Sequence, residues 1–252
     1  MLDDVIYFLS PDSSDEWSEL TDGFAARKAD FPDVACIFDG TLVRTRRPGF
    51  SGILRQSGRP SYSCLAAIDY RYKFRYLGVF SDSNSDQSIW NQSAVLGARA
   101  RELCPPGINW LGDAGFKLWP FLMVPFDERC RRRLTPTQRC YHLSQTCIFV
   151  ECVFGKLKAC FKVLNGVTDR KKHTTNARMI CVAAILHNLL IDIGDKLFNV
   201  KRNAAQQRKD RRDSRHVLAA FDQRWDRNKE EINLAIAKRN AYGDRFYQND
   251  HE

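Results

Sequence analysis

The chain has 252 residues, 44% of them apolar, a composition normal for a globular protein and enough for one large domain or two small ones. Net charge is +9 but uneven: residues 1–33 carry a net −7 and the remainder +16, and so basic a body favours a polyanionic partner, most simply nucleic acid. Nine cysteines, an odd count with no CxxC pair and with Cys36, Cys64, Cys147, Cys152, Cys160 and Cys181 in apolar stretches, exclude a disulfide framework or a zinc ribbon of the usual spacing and fit reduced thiols of an intracellular protein.

The N-terminal MLDDVIYFLSPD is acidic and makes a poor signal peptide. Residues 11–28 predict a capped helix with Trp17, Leu20 and Phe24 on one stripe, ended by Pro32. VACIFD is a short buried strand ending at Asp39, and residues 44–60, rich in Arg, Gly, Ser and Pro, are a basic loop. SCLAAID (63–69) and FRYLGVF (74–80) pair as an antiparallel hairpin. One helix is expected over 86–103, stopped by Cys-Pro-Pro-Gly at 104–107; INWLGD is a second buried strand, and WPFLMVPF a loop or irregular edge. Leu143, Cys147, Val150, Phe154, Leu157, Phe161 and Leu164 recur at helical steps and predict a single helix over 138–164. The run MICVAAILHNLLI (179–191) is a core helix, too short to span a bilayer, with His187 as a satisfied core histidine. Residues 196–252 turn polar and basic, a helical tail whose cluster at 208–212 suits nuclear import or DNA-backbone contact, or is a solvated face. This order implies an α/β fold: a mixed sheet flanked by helices, with an acidic helical segment at 1–33, a main domain at 34–195 and a basic helical C-terminal tail at 196–252.

Four carboxylates sit where acids are usually avoided. Asp39 and Asp113 end apolar runs, Asp86 follows SDSNS, and Glu151 interrupts the apolar helical pattern. Burying an unpaired carboxylate is costly, and such groups usually meet a metal or a cation. If they converge, they form a hard-cation site suited to phosphodiester chemistry, in which two divalent ions about 3.5–4 Å apart act on the attacking and leaving oxygens. Taken singly each has an ordinary reading: Asp39 and Asp113 as turn residues, Asp86 as a helix N-cap, Glu151 as a surface acid at the stripe edge. The FDGTL word around Asp39 is not a phosphatase DxDGT loop, because Ile37 stands where that chemistry needs its nucleophilic aspartate.

These words together resemble the DDE nuclease domain of PIF/Harbinger-type transposases, including transposase-derived nucleases. Ile37-Phe38-Asp39-Gly40-Thr41 is similar to the family's IDGT strand and is followed by the basic Arg44-Thr45-Arg46-Arg47-Pro48. Ser83-Asn84-Ser85-Asp86 resembles its GSxxD turn, and Leu111-Gly112-Asp113-Ala114-Gly115-Phe116 its LGDxxY strand end. Val150 to Lys158 resembles VERAFGRLK, with Cys152 in place of arginine, and Leu186-His187-Asn188 is the LHN core word. The resemblance runs in family order from about residue 11 to 195. It implies an RNase H-like fold and a DNA endonuclease or transposase with Asp39, Asp113 and Glu151 as catalytic triad and Asp86 as a further metal-associated acid. Mg²⁺ or Mn²⁺ would be the cofactor. It further implies DNA contacts from Arg44, Arg46, Arg47, Lys156 and Lys158, a nuclear or cytoplasmic location without a membrane, a separate Myb-like DNA-binding partner, and oligomers as an option. The alternative is a catalytically inactive transposase-derived module that binds DNA or protein.

Overall fold

The computed structural model describes residues 6–27, 31–45, 61–80, 85–126, 134–143, 146–165, 172–195 and 228–249. The basic loop beyond Thr45, the tail cluster at 208–212, and with them Arg46 and Arg47, lie outside the described residues.

Five strands form one mixed sheet in the order β3-β2-β1-β4-β5: β1 Val34–Arg44, β2 Ser61–Ile68, β3 Phe74–Phe80, β4 Asn109–Gly112 and β5 Leu122–Met123. The predicted hairpin pairs antiparallel, Ala66 opposite Leu77 and Cys64 opposite Val79. β1 is antiparallel to β2 and parallel to β4, with Ile37 beside Leu111 and Phe38 beside Gly112. WPFLMVPF contributes only the two-residue edge strand β5.

Alternation along β1 sorts its side chains between two apolar layers. Phe38 faces α1 (Ser14–Ala26) and α2 (Asp86–Gln92): its ring meets Trp110 at 5.2 Å and Trp90 at 5.0 Å, and the rings of Trp17 and Trp110 stack at 6.4 Å. Trp17, Leu20 and Phe24 are buried as the stripe predicts, so α1 is part of the same core. Ile37 aligns with Ile68 and Phe74 on the other face. There Phe74 meets Phe154 of α5 (Thr146–Cys160) and His187 of α7 (His173–Asp192). This is the RNase H-like α/β layout: helices on both faces of a mixed sheet.

Three expectations are corrected. The helix over 86–103 stops at Gln92, because the Ser93 backbone turns extended and its hydroxyl accepts the Leu96 N–H at 3.0 Å; a 3₁₀ turn and α3 (Ala100–Leu103) follow. The helix over 138–164 is interrupted at Phe161, between α5 and α6 (Lys162–Asn165), and its first part lies in α4 (Pro136–Leu143). The core helix α7 runs 20 residues, long and apolar enough by length and composition to cross a membrane. Its buried polar side chains instead tie it to the sheet. Asn188 accepts the Phe74 N–H at 2.8 Å and donates to the Phe74 carbonyl at 2.9 Å, and His187 Nε2 lies 2.9 Å from the Tyr72 carbonyl.

The tail ends in α8 (Lys229–Asn249), which packs on α4: Tyr242 and Phe246 meet the Phe31 ring at 5.4 and 4.9 Å. The β2–β3 turn holds Tyr72 at φ 67°, a left-handed position that glycine occupies more easily. Asp69 closes that turn, accepting the Arg71 and Lys73 N–H groups at 2.8 and 3.0 Å and pairing with Arg75 at 2.9 Å.

Candidate active site

Asp39 is neither a strand end nor a turn. β1 continues through Arg44, and the carboxylate projects from mid-strand, its Oδ1 accepting the Gly40 N–H at 2.8 Å. β4 is shorter and ends at Gly112, beside Phe38. The next residue, Asp113, therefore emerges beside Asp39, about 4.8 Å away at the backbone by ordinary strand spacing. Asp113 then turns back, its Oδ1 accepting the Gly115 N–H at 2.8 Å. Where β4 stops and β1 goes on, the sheet has a notch with the two aspartates at its corner.

Asp86 reaches this notch from the opposite face. Ser85, not Asp86, is the N-cap of α2: its hydroxyl accepts the Ser88 N–H at 3.3 Å and leaves the Asp86 carboxylate to other work. α2 lies on the Phe38 face, which is also the face of Gly40. The Asp86 carboxylate fills the space a Cβ at residue 40 would take. Its Oδ2 stands 2.7 Å from where a Cβ on Gly115 would sit, and Asp113 Oδ1 stands 2.9 Å from that same point. Glycine at 40 and 115 is thus the condition for Asp86 and Asp113 to meet. Burial, and then the charge of Asp113, raise the Asp86 carboxyl far above the usual carboxylate range.

The pair is held by a contact that the sequence did not point to. Gln87 is buried; its Oε1 accepts the Lys117 N–H at 2.6 Å while its Nε2 donates to Asn91 at 2.9 Å. This ties the 113–117 loop to α2, and Phe116 packs on Trp90 at 5.7 Å to the same effect. A glutamine directly after a candidate acid carries no recognisable pattern, since its partner is a main-chain amide 30 residues on.

Of the four carboxylates, the structure brings Asp86 and Asp113 together with Asp39 beside them. Glu151 lies in α5, and its side chain is outside the described residues. Among the described residues no three His, Cys, Asp or Glu side chains form a cluster able to hold a metal ion. The Asp86–Asp113 pair still fits a divalent cation. Two carboxylates crowd together there, two glycines leave room beside them, and Mg²⁺ needs only one or two carboxylates besides water and phosphate oxygens.

The basic residues divide. Arg44 ends β1, half-buried. Lys158, expected at DNA, is instead 3% exposed, and its ammonium donates to Thr41 Oγ1 at 2.8 Å, bracing α5 on the strand that carries Asp39. Lys156 lies 4.8 Å from the centre of the Tyr72 ring, at the β2–β3 turn.

Residues 38–188 match the family model described as DDE superfamily endonuclease. The chain belongs to this family. All four candidate acids fall inside the matched span. The chain is also 30% identical over 86 residues to "Protein ALP1-like" of Arabidopsis thaliana, a stretch covering 34% of this chain and 21% of that protein. The match therefore spans about a fifth of that relative's length. No solved structure matches the chain.

Proposed function

We propose that this chain is a metal-dependent DNA endonuclease of the Harbinger transposase type, with Asp39, Asp113 and Glu151 as its catalytic carboxylates and Asp86 as an additional metal ligand. The observation that supports it most is the meeting of Asp86 and Asp113 over Gly115, one strand away from Asp39 and within a domain of the endonuclease family. Bound Mg²⁺ or Mn²⁺, as a two-ion pair, would supply activation of the attacking oxygen and stabilisation of the leaving one in an in-line displacement. The chain's own residues supply the placement. Asp39 and Asp113 ride on paired strands that hold them rigidly. Asp86 carries a proton that it gives up when a cation replaces it. Gln87 keeps the two halves of the pair together. Arg44, with Arg46 and Arg47, would take the DNA backbone, Lys156 and Lys158 being engaged within the fold. Recognition of a specific DNA end then falls to a separate Myb-like protein, and the 208–212 cluster directs the chain to the nucleus.

A second reading, a transposase-derived module that binds DNA or protein without cutting, draws on the departures from the family words at Cys152 and Phe116. One experiment separates the two. Purified protein is incubated with supercoiled DNA and Mg²⁺ or Mn²⁺, beside its Asp113→Ala variant. Nicking by the first and not the second supports the nuclease. No nicking with either ion, together with salt-sensitive DNA binding that survives Glu151→Ala, supports the binding module.

A further inference from the structure

Helix α7 presents a second apolar face that the sheet does not use. Its inward face, with Asn176, Ile180, Ala183, Ala184, His187 and Asn188, is buried. On the outer side Val182, Leu186, Leu189 and Ile193 are 46, 43, 41 and 74% exposed, and Met179 one step earlier is half-buried. The spacing of these five positions alternates three and four residues, the seam of a helix that packs along another helix. Apolar residues scattered singly need no explanation, but a continuous seam on a helix of 20 residues does. The seam is bounded by opposite charges: Arg178 is exposed at its N-terminal end, and Asp192, 47% exposed beyond its bond to Lys73, stands at its C-terminal end. Both lie seven residues from Ile185, the midpoint between the two charges and one residue from the seam's centre at Leu186.

We propose that this face is the interface for a second copy of the chain, with the two α7 helices packed antiparallel about Ile185. In that arrangement each Arg178 lies opposite the other copy's Asp192, and the apolar seams cover each other. A parallel pairing would set arginine on arginine and aspartate on aspartate. The surface is self-complementary, as an interface between identical subunits must be. The proposal is independent of the metal site, and its test reads mass rather than cleavage.

Sedimentation velocity of the full chain over a concentration series should show a dimer, against 29.1 kDa for one chain. Leu186→Glu should give a monomer that keeps the wild-type circular dichroism spectrum. Arg178→Asp and Asp192→Arg should each weaken self-association by about tenfold, because each sets like charges opposite each other twice. Mixing these two variants should restore the dimer, because only the mixed antiparallel pair matches at both ends. A wild-type chain that stays monomeric at every concentration overturns the proposal, as does a mixture no better associated than its parts. It is equally overturned if Leu186→Glu lowers the melting temperature without changing the mass, which would mean that the chain's own residues 196–227 cover the seam.

Discussion

The carboxyl of Asp86 is raised to about 8 because burial strips its hydration and Asp113 faces it. The folded chain therefore keeps a proton that the unfolded chain gives up near 3.8. That contribution to the stability of the metal-free protein is complete below the lower value and is lost as pH rises through the higher one. A divalent ion needs the carboxylate bare, so Mn²⁺ should bind more tightly as pH rises towards about 8, with proton release detectable by calorimetry in buffers of different ionisation enthalpy. Asp86→Asn should remove that pH dependence; a dependence that persists unchanged would assign it to another group. Gln87→Ala should weaken Mn²⁺ binding about tenfold, the usual scale for a residue that positions a ligand, and an unchanged affinity would reduce Gln87 to a packing residue. At this scale the sequence was legible where an acid closes an apolar run, as at Asp113. It was silent on Gln87, and it could not place Asp86 opposite Asp39, because that depends on which face of the sheet α2 covers.

Strand β3 lies at the sheet edge, where main-chain groups have no strand to pair with. Asn188 takes both the N–H and the C=O of Phe74 there, and His187 takes the Tyr72 carbonyl. The LHN word is thus a clamp from α7 onto an edge strand and not part of the site. Asn188→Ala should destabilise the fold by about 2–4 kcal/mol in urea unfolding, since it strands two main-chain groups; a loss within the noise of surface substitutions would refute the clamp. Burial lowers His187 from 6.5 to about 4. The folded state thus resists a proton that the unfolded chain accepts, so stability is complete above 6.5 and declines as pH falls towards 4. The decline amounts to about 3 kcal/mol over that window. Melting temperatures of the wild type should therefore fall more steeply between these pH values than those of His187→Gln, and parallel slopes would count against a neutral buried imidazole. Hairpin, strands and core helix were readable from period and apolar runs. The break at Ser93 was not, because a single hydroxyl bond decides it.

For the molecule as a whole, charge and topology act together. The basic excess belongs to residues 34–252, while the acidic stretch before them is folded into the core through Trp17, Leu20 and Phe24. DNA affinity should fall linearly with the logarithm of salt, and Arg44→Ala should reduce that slope by about one if the arginine contacts a phosphate. An unaltered slope would move the DNA path away from the end of β1. The notch where β4 stops also bears on how such a protein changes over time. Asp86 comes from the face of β1 opposite to Asp39 and reaches Asp113 only because residue 40 has no side chain. A methyl group there would meet only the Asp86 side chain, so it should leave strand, hairpin and core intact while pushing Asp86 off Asp113's loop. A lineage that kept the scaffold for another purpose could therefore lose the carboxylate pair in one step, through Gly40→Ala, and pass on a stable copy without it.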